Sequence, residues 1–300
     1  MLYGCNPTGS PPEATLAWTA RTLPSTDHWW SVTFGNGVFV AVAGYDTPSS
    51  AAATSPDGVT WTAQSLPGPA TYWASVAYGN GRFVAIAGNA ITNRAATSTN
   101  GAAWSAQTLP ATVRWFSVTY GNGVFVAIAI NNNVTATSAD GVSWALHTTL
   151  PSSIGWISVA FGNNVFTAVS MGGNAAATSP DGITWTPHTL PTGGWYSVTF
   201  GNGLFVAVSG TLTGSAATSP DGATWTARTI PSGVTWHSVT YGNGKFVAVA
   251  FNGTSSATSL DGINWTVYSL PTSQNWQSVA YGNGIFVAVA YTSNAAATSP

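Results

Sequence analysis

Charged residues are scarce in this chain of 300 residues, which has six Lys plus Arg, eight Asp plus Glu and a formal net charge of −2. Typical domains are about a quarter charged, so Ser, Thr, Asn, Gly and Ala must cover most of the surface. Without a basic face, we expect neither nucleic-acid binding nor attraction to anionic lipid. A near-neutral surface also lacks charge repulsion, so self-association is compatible with it. We expect such a surface in an extracellular, cell-surface or virion protein.

Other features that the sequence lacks narrow the class of protein further. Cys5 is the only cysteine, which excludes an intrachain disulfide. No apolar run approaches the roughly 18 residues of a membrane span, so we expect no membrane insertion. Residues 1–10 lack both a basic start and an apolar stretch, and we expect no signal peptide there. Helical periodicity is absent throughout, which indicates an all-β fold.

A repeated pattern fills the chain. A Ser-Val-x-aromatic-Gly-Asn core recurs every 41 residues or so, roughly the length of one four-stranded propeller blade. Its copies start at Ser31, Ser75, Ser117, Ser158, Ser197, Ser238 and Ser278. We predict a seven-bladed β-propeller as a single domain over residues 1–300. The expected blades are about 29–67, 73–110, 115–151, 156–191, 195–231, 236–271, and 276–300 plus 16–24.

The last blade is expected to take its fourth strand from the N-terminus. A Ser-Pro-Asp-Gly-x-Thr-Trp segment or a close relative follows six of the cores, whereas the seventh stops at Ser299-Pro300. The missing Trp strand is found at residues 17–24, which closely match residues 224–231. The sequence therefore predicts a ring closed by its N-terminal strand.

Each blade is expected to contain strands A to D. In the second repeat, strand A ends at Tyr78 and is followed by Gly79-Asn80-Gly81, the strongest short hairpin signal. Strand B is an unbroken apolar run, which predicts burial on both faces. A variable loop leads to a short strand C, and strand D carries Trp104. We expect the Leu-Pro or Ile-Pro dipeptide to end each D strand, since proline cannot join an interior ladder.

The segment between strands C and D, called the box here, carries a repeated acidic residue. In the first box, Ser55, Asp57, Gly58 and Trp61 are the recurring residues. We expect the side-chain oxygen to accept backbone N–H groups across the turn, and the Trp to pack between sheets. An isolated carboxylate suits a structural turn better than a hard cation, so we expect no metal and no cofactor. The corresponding turn residues are Asp57, Asn100, Asp140, Asp181, Asp221 and Asp261.

These boxes resemble the Asp-box, or bacterial neuraminidase repeat, which lies between the third and fourth strands of sialidase-like β-propellers. The resemblance covers nearly the whole chain, although one residue fewer separates Ser from Trp here than is usual. The wider Tyr-Gly-Asn-Gly-x-Phe-Val-Ala-Val pattern is similar to repeats of bacterial and phage surface proteins. The resemblance implies a propeller and, in sialidases, an arginine triad, a Tyr–Glu nucleophile pair and a further acid.

The residues that catalysis would need are sparse. Glycosidases use two carboxyl groups that flank the scissile bond, and the acidic residues outside the boxes are Glu13, Asp27 and Asp46. Of the arginines, only Arg94 and Arg114 lie near variable loops, so no triad can be assigned. We therefore predict that the protein is not an enzyme. A sialidase-like glycosidase is the third alternative, and it would require Arg94 or Arg114.

Variation between blades is concentrated in the B–C and D–A loops, which should share one face of the disc, whereas the A–B and C–D turns are nearly identical. A scaffold with one working face shows this distribution. Strand A begins with Trp in all seven blades, which indicates inter-blade core or, alternatively, an exposed aromatic plate suited to sugar rings. The next position varies and should line the mouth of the channel. We expect ligand-binding residues at Trp30, Phe116, Tyr196, His237 and Gln277, with Tyr45, Tyr72, Arg94 and Arg114 from the loops.

These patterns favour a non-catalytic recognition or adhesion module that binds a glycan or another surface receptor through the B–C/D–A loop face. The alternative is a structural or decoration protein of a virion or cell-surface assembly, whose partners would be neighbouring structural proteins. The ligand itself is not specified by the sequence.

Overall fold

The protein is described by a computed structural model that covers residues 16–88, 91–151 and 155–300. These residues form strands, turns and loops without a helix, which confirms the all-β prediction. Accordingly, no helix in the described ranges could span a membrane. Cys5 and Glu13 lie outside the described residues, so the expectations that concern them stay predictions.

The strands follow the repeats. The first five are β1 (Thr19–Thr22), β2 (Trp29–Gly35), β3 (Val38–Ala43), β4 (Ala51–Ser55) and β5 (Thr62–Ser65). The next eight are β6 (Trp73–Gly79), β7 (Arg82–Ala87), β8 (Thr92–Ser98), β9 (Ser105–Val113), β10 (Trp115–Gly121), β11 (Val124–Ala129), β12 (Thr135–Ser138) and β13 (Ala145–His147). These are followed by β14 (Trp156–Gly162), β15 (Val165–Ser170), β16 (Ala175–Ser179), β17 (Thr186–Thr189), β18 (Trp195–Gly201), β19 (Leu204–Ser209), β20 (Ser215–Ser219) and β21 (Thr226–Thr229). The last six are β22 (Thr235–Gly242), β23 (Lys245–Phe251), β24 (Gly253–Ser259), β25 (Thr266–Gly282), β26 (Ile285–Tyr291) and β27 (Ala295–Ser299).

The strands form antiparallel sheets in chain order. Strands β2 to β21 make five four-stranded sheets, and the remaining strands make one seven-stranded sheet in the order β1-β27-β26-β25-β24-β23-β22. Strand β25 is long because its first part pairs with β24 and its second part with β26. It therefore serves as strand D of one repeat and strand A of the next. The prediction of four-stranded antiparallel blades is confirmed.

The prediction that the Leu-Pro or Ile-Pro dipeptide ends each D strand is wrong for two strands. Strand β9 continues through Pro110, and β25 continues through Pro271. In both places the pairing register shifts opposite the proline. A bulge leaves residues without a ladder partner, so a proline there costs no hydrogen bond.

Two-residue turns join strands A and B as the sequence predicts. Gly35 pairs with Val38, and Asn36 and Gly37 between them have φ of 47° and 76°. Positive φ at both central positions is characteristic of a type I′ turn, whose twist matches that of the strands it joins. The Asn-Gly dipeptide is used because both residues tolerate this conformation.

The aromatic-Gly pair before this turn locks adjacent sheets together. A Cβ on Gly35 would lie 2.0 Å from Cγ of Tyr78, which belongs to the next sheet. The glycine is thus required because the aromatic ring lies directly on the backbone. The same contact recurs between Gly282 and Phe34, from the last inner strand to the first.

Hydrogen bonds between neighbouring inner strands repeat with the same register. Ser31 Oγ accepts a hydrogen bond from the backbone N–H of Val76, in the next repeat, at 3.2 Å. Each later Ser of the core likewise accepts a hydrogen bond from the core Val of the repeat after its own. Ser278 Oγ accepts from Val32 N–H at 3.2 Å. The recurring Ser-Val dipeptide is explained by these contacts, because Ser is the acceptor and Val the donor.

The core lies between the sheets. One cluster combines Val40 and Val42 of β3 with Trp73 and Phe83 of the next sheet. Residues 39–43 of strand B are completely buried although their side chains alternate between the two faces. Each sheet is therefore covered on both sides by its neighbours, as the unbroken apolar runs predict.

The N-terminal strand β1 pairs with β27, from Thr19 opposite Thr298 to Thr22 opposite Ala295. Trp18 precedes β1 and packs against a core cluster formed by residues near the end of the chain. Its indole Nε1 donates to Ser256 Oγ at 2.9 Å. Residues 17–24, whose sequence is similar to that of the D strands, thus occupy the position of a D strand.

Candidate functional site

The loops that differ between blades lie side by side. The backbone N–H of Gly44, at the start of a B–C loop, donates to the carbonyl of His28 in the preceding linker at 3.0 Å. Ile130 N–H donates to the Arg114 carbonyl in the same way at 2.9 Å. Each linker is therefore tied to the B–C loop of the blade that it enters. We call the surface formed by these loops and linkers the loop face.

The Trp at the start of each inner strand is part of the core. All seven are at most 1% exposed: Trp29, Trp73, Trp115, Trp156, Trp195, Trp236 and Trp276. Six of these indoles, all but that of Trp73, donate to a carbonyl of the preceding segment, as where Trp195 Nε1 donates to the Pro191 carbonyl at 3.2 Å. The alternative of an exposed Trp plate is therefore wrong, and the expectation of inter-blade core is confirmed.

The residue that follows this Trp on strand A lies at the loop face, and the size of its side chain differs greatly between repeats. In two blades it is filled by the buried Ala74 and Ile157, and Gln277 is 7% exposed. In the other four repeats it carries a half-buried ring: Trp30, Phe116, Tyr196 and His237. The mouth is therefore lined unevenly, with rings from only some of the blades.

Two loop-face rings contact Trp30. Tyr45, in a B–C loop, stacks on Trp30 with a centroid separation of 3.8 Å and an interplanar angle of 18°. Phe116, two blades away, meets Trp30 edge-on at 6.5 Å and Tyr45 at 5.3 Å. The contact reaches over the intervening blade, which carries the small Ala74 at this position. Three predicted site residues are thus brought together.

A second stack lies on the other side of the mouth. His237 is sandwiched between Tyr196 and Phe251, with both ring centroids 4.3 Å away. His237 Nδ1 and Gln277 Oε1 are 3.1 Å apart and hydrogen bonded. Burial lowers the pKa of His237 to about 4, so the ring is neutral at neutral pH. Three further predicted residues therefore form one group.

Tyr291 joins the two groups. Its ring lies 5.7 Å from Trp30 and 6.0 Å from Phe251. We call the connected rings of Trp30, Tyr45, Phe116, Tyr196, His237, Phe251 and Tyr291 the mouth cluster. Sequence reasoning missed Phe251 and Tyr291. The signal that could have found them is that both stand at the end of strand B, at the repeat position where three other repeats have Gly44, Gly88 and Gly210.

Polar contacts at the edge of the mouth cluster fix two tyrosines. The Tyr291 hydroxyl donates to Asp46 Oδ2, and His28 Nδ1 donates to Asp46 Oδ1 at 2.5 Å. On the other side, Arg114 hydrogen bonds with the Tyr45 hydroxyl. Burial raises the pKa of Tyr45, and the guanidinium partly opposes this shift. One carboxylate and one guanidinium therefore flank the rings.

Tyr72 and Arg94 lie apart from the mouth cluster. Arg94 Nη1 donates to the carbonyl of Pro69 at 2.7 Å, in the adjacent linker. Tyr72 is half-buried, and its carbonyl accepts the N–H of Gly88 at 2.6 Å. Within the described ranges neither side chain contacts a ring of the cluster, so their predicted role could only be at the periphery of the same face.

Asp27 and Asp46, the acidic residues outside the boxes that the structure describes, are already engaged in hydrogen bonds. Asp27 accepts hydrogen bonds from Ser25 Oγ at 2.5 Å and Ser49 Oγ at 2.9 Å, which ties the linker to the B–C loop. Asp46 is held by His28 and Tyr291, as described above. Among the described residues, no group of three or more His, Cys, Asp or Glu side chains could hold a metal ion.

Long polar side chains on the D strands serve the blades rather than the loop face. Arg21 Nε donates to Thr298 Oγ1 at 3.1 Å, and Arg228 Nε donates to Thr218 Oγ1 at 3.1 Å. His147 makes the equivalent bond to Thr137 at 2.9 Å. These contacts bind strand D to strand C at the rim.

The box turns have one shared geometry. Asp57 Oδ1 accepts hydrogen bonds from the N–H groups of Val59 and Thr60 at 2.9 and 3.0 Å and from Ser55 Oγ at 3.0 Å. The backbone hydrogen bonds from Thr60 and Val59 lower the pKa of Asp57, because they stabilise its charged form. Asn100, Asp140, Asp181, Asp221 and Asp261 accept the corresponding bonds in their boxes.

Comparison with known proteins supports the propeller architecture. Residues 55–200 match the DUF6242 beta propeller domain family. No curated protein matches the chain. A catalytically inactive virginiamycin B lyase from Staphylococcus aureus, solved with quinupristin, superposes with a TM-score of 0.84. It is 14% identical, and the match covers 95% of this chain and 100% of the lyase.

Other propellers match as well. YCF48 bound to the D1 peptide has a TM-score of 0.75 and 16% identity, with 96% of each chain covered. YCF48 from Cyanidioschyzon merolae has a TM-score of 0.72 and 15% identity, with 94% of this chain and 98% of that chain covered. At such identities the similarity shows the fold alone.

Proposed function

We propose that this protein is a non-catalytic recognition module that binds a glycan or another surface receptor at the mouth cluster. The observation that carries the proposal is the connected set of seven rings on the loop face. Half-buried aromatic rings offer apolar faces, while Asp46, Arg114 and Gln277 offer hydrogen-bonding groups beside them. Sugars present C–H faces and hydroxyl edges that suit this combination.

The proposed scaffold is a seven-bladed ring closed by the N-terminal strand. The Ser–Val hydrogen bonds between successive inner strands, including the one from Val32 N–H to Ser278 Oγ, support a closed ring. The pairing of β1 with β27 supports closure of the last blade by residues 16–24. In such a ring the mouth cluster lies where the inner strands converge on the loop face.

The box turns support the proposed kinship with Asp-box propellers. Their side-chain oxygens accept N–H groups two and three residues further on, and their Trp residues pack against the core clusters. The spacing from Ser to Trp remains one residue shorter than in that family. The proposed kinship therefore rests on the geometry of the turn, and we infer no activity from it.

A non-catalytic role is favoured by the engagement of the charged groups. Arg21 and Arg228 are held by threonines on the rim, and Arg94 is held by a linker carbonyl. Arg114 lies beside the mouth cluster, where it hydrogen bonds with the Tyr45 hydroxyl. Asp27 is occupied by two serine hydroxyls. A sialidase-like mechanism would need several of these groups to converge on one substrate.

A protein ligand is the principal alternative to a glycan at the same face. YCF48 has been solved bound to a peptide, and virginiamycin B lyase with quinupristin. Related scaffolds thus accept different ligand classes, and the mouth cluster could serve a peptide through the same aromatic faces.

A structural role in a virion or cell-surface assembly is the second candidate. The position after Asp-Gly in the boxes is apolar and exposed in several blades: Val59 is 43%, Val142 37%, Ile183 39% and Ile263 39% exposed. With so few charges on the chain, the surface that carries these box residues could be buried against neighbouring proteins. An extracellular, cell-surface or virion location is proposed for either role.

The first experiment is a glycan-array screen of the purified protein, confirmed by quenching of tryptophan fluorescence. We expect a coherent sugar motif whose affinity falls about tenfold or more in Trp30→Ala, Phe116→Ala and Tyr196→Ala. Tyr268→Ala, which changes an aromatic residue on a D strand, is the matched control and should bind normally. Binding that persists in all three mouth variants would contradict the proposal. Failure to bind by a folded, monodisperse sample would favour the structural role.

A further inference from the structure

A groove on the rim lies outside the loop-face site. It runs along β21, between this strand and the box that precedes strand D of the next blade. One cavity of about 430 Å³ is lined by Thr213, Thr229, Ser232 and Trp265, among others. A second cavity of about 320 Å³ continues along the strand and shares Thr229, Ile263 and Asn264 with the first. We call the two together the β21 groove.

One wall of the groove is the outer edge of β21. This strand pairs with β20 on its inner side, and the described residues provide no strand on its outer side. The edge therefore presents main-chain N–H and C=O groups to the groove. Thr229 and Ser232 add exposed hydroxyl groups.

The opposite wall is a box whose Trp is anchored differently from the others. In the first five boxes the Trp Nε1 donates to the carbonyl of the box Gly, as where Trp104 donates to Gly101 O at 2.7 Å. Trp265 Nε1 is buried without a hydrogen-bond partner. The side-chain amide of Asn264, the residue before Trp265, donates to Asp261 Oδ2 at 2.8 Å. An unpartnered indole N–H is costly and marks this box as exceptional.

At a different junction between neighbouring blades, a hydrogen bond joins the segment after strand D to the next box, at the place equivalent to the groove. Thr149, which precedes Leu150-Pro151 as Thr229 precedes Ile230-Pro231, donates through Oγ1 to the carbonyl of Ile183 in the next box. That contact joins the D strand of one blade to the box of its neighbour. At the β21 junction, Thr229 and Ile263 instead line both cavities.

We propose that the β21 groove is a second binding site, specific for a neutral saccharide. Arg228, which lines the second cavity, donates through Nε to Thr218 Oγ1 at 3.1 Å. The first cavity combines the Trp265 ring with hydroxyl and amide groups, and no charged side chain lines it. Thr213 belongs to a chain of hydroxyls, with Thr211 Oγ1 at 2.7 Å and Ser215 Oγ at 2.9 Å. An aromatic wall with hydroxyl and amide donors matches a sugar ring, and the absence of charge in this cavity disfavours anionic and cationic ligands. The site is independent of the mouth cluster.

The test uses the full chain labelled with ¹⁵N and titrated with maltose, lactose, cellobiose and N,N′-diacetylchitobiose. An open single site should bind in the mM range, so each sugar is taken to about 20 mM. We expect one of them to shift the indole signal of Trp265 and the backbone amides of Thr229 and Asn264. The indole signal is assigned from its loss in Trp265→Phe.

Variants separate this site from the mouth and from unfolding. Trp265→Ala should weaken binding about tenfold or more, whereas Trp104→Ala, the same position in a distant box, should not. Asn264→Thr copies the residue of three sister boxes, Thr60, Thr184 and Thr224, and should weaken binding while preserving the fold. Trp30→Ala should leave these shifts unchanged, so failure at the mouth and failure at the groove are distinguishable.

Two outcomes would overturn the proposal. The first is that none of the four sugars shifts Trp265, or that the shifts survive in both groove variants. The second is that a capped Thr-Val-Thr-Val-Thr peptide shifts the β21 amides while the sugars do not. That result would assign the groove to strand addition by an extended peptide.

Discussion

The carboxylate of Asp261 illustrates how one side chain stabilises a box turn. Burial raises its pKa, but hydrogen bonds from the N–H groups of Asn264 and Ile263 outweigh this and lower it from 3.8 to about 2. A lowered folded-state pKa means that the charged form contributes stability above the unfolded pKa. This contribution is lost as the pH falls from about 4 to about 2.

We therefore predict a pH-dependent effect of Asp261→Asn. The amide retains an acceptor oxygen, as Asn100 shows in its box, but it loses the charge. The melting temperature should fall by a few degrees at most at pH 7, because the group is largely exposed. The difference from the unmodified protein should vanish near pH 2. Differential scanning fluorimetry across pH provides the measurement, and a difference independent of pH would contradict the prediction.

Ser256 and Trp18 form a pair that is specific to the last blade. In the first five boxes the Trp N–H donates to a box Gly, but Trp18 donates to Ser256 Oγ at 2.9 Å. Other blades, such as those with Ala52 and Ala216, have alanine at the position of Ser256. Ser256→Ala should therefore cost about 1 kcal/mol, since a partly buried N–H loses its acceptor. Urea denaturation measures this, with the exposed Thr254→Ala as control; equal effects of the two would contradict the role of Ser256.

The site residues show where sequence reasoning was sufficient and where it was not. Trp30, Phe116, Tyr196 and His237 were predicted because one strand position varied among otherwise equal repeats, and the structure brings all four into one cluster. Phe251 and Tyr291 were missed because their repeat position, which is Gly44 or Gly88 in other repeats, was assigned to the variable loop, whereas in these two repeats it extends strand B. The stacking of Tyr45 on Trp30 depends on the loop path, which the repeat pattern does not encode.

At the scale of the element, the contact between Gly121 and Phe161 explains the aromatic-Gly pair. A Cβ on Gly121 would lie 2.0 Å from Cγ of Phe161, whereas Gly123 has open space and a φ of 81°. We predict that Gly121→Ala costs about 2–3 kcal/mol through overpacking between the sheets. Gly123→Ala should cost about 1 kcal/mol, through the backbone conformation alone.

Chemical denaturation of the two single variants measures this difference. Adding Phe161→Leu to Gly121→Ala should recover part of the loss, because the smaller side chain relieves the clash. The same addition to Gly123→Ala should only add its own cost, since these positions do not share a contact. A larger loss at Gly123 than at Gly121 would refute the explanation.

The strands themselves were largely predictable, because each repeat carries the same apolar runs and turn dipeptides. The Asn36-Gly37 turn and the buried run of strand B are as the pattern indicates. Strands β9 and β25 are the exceptions, because both continue through the proline. The sequence suggested a break at Pro271, but a bulge accommodates the proline and allows the strand to continue into the next blade. Bulges depend on pairing between strands, and a local dipeptide rule cannot reveal them.

At the scale of the whole molecule, the pairing of β1 with β27 holds the two ends of the described chain together. Strand β1 contributes little core of its own, because its residues are mostly exposed. Leu16 and Leu23, which flank it, are nevertheless buried in two different inter-sheet clusters. The N-terminal segment therefore covers a sheet edge and completes the packing on both sides of the last sheet.

Deletion of residues 1–24 tests this role. The variant loses the buried Leu16 and Leu23 and exposes the edge of β27, whose alanines and threonine carry no charge to discourage pairing. We predict a lower melting temperature and aggregation, seen by differential scanning fluorimetry and size-exclusion chromatography. Deletion of residues 1–15 alone, which retains Leu16, Trp18 and β1, is the control and should elute like the full chain. An unchanged melting temperature together with a monomeric elution profile for the longer deletion would show that the fold does not depend on its N-terminal strand.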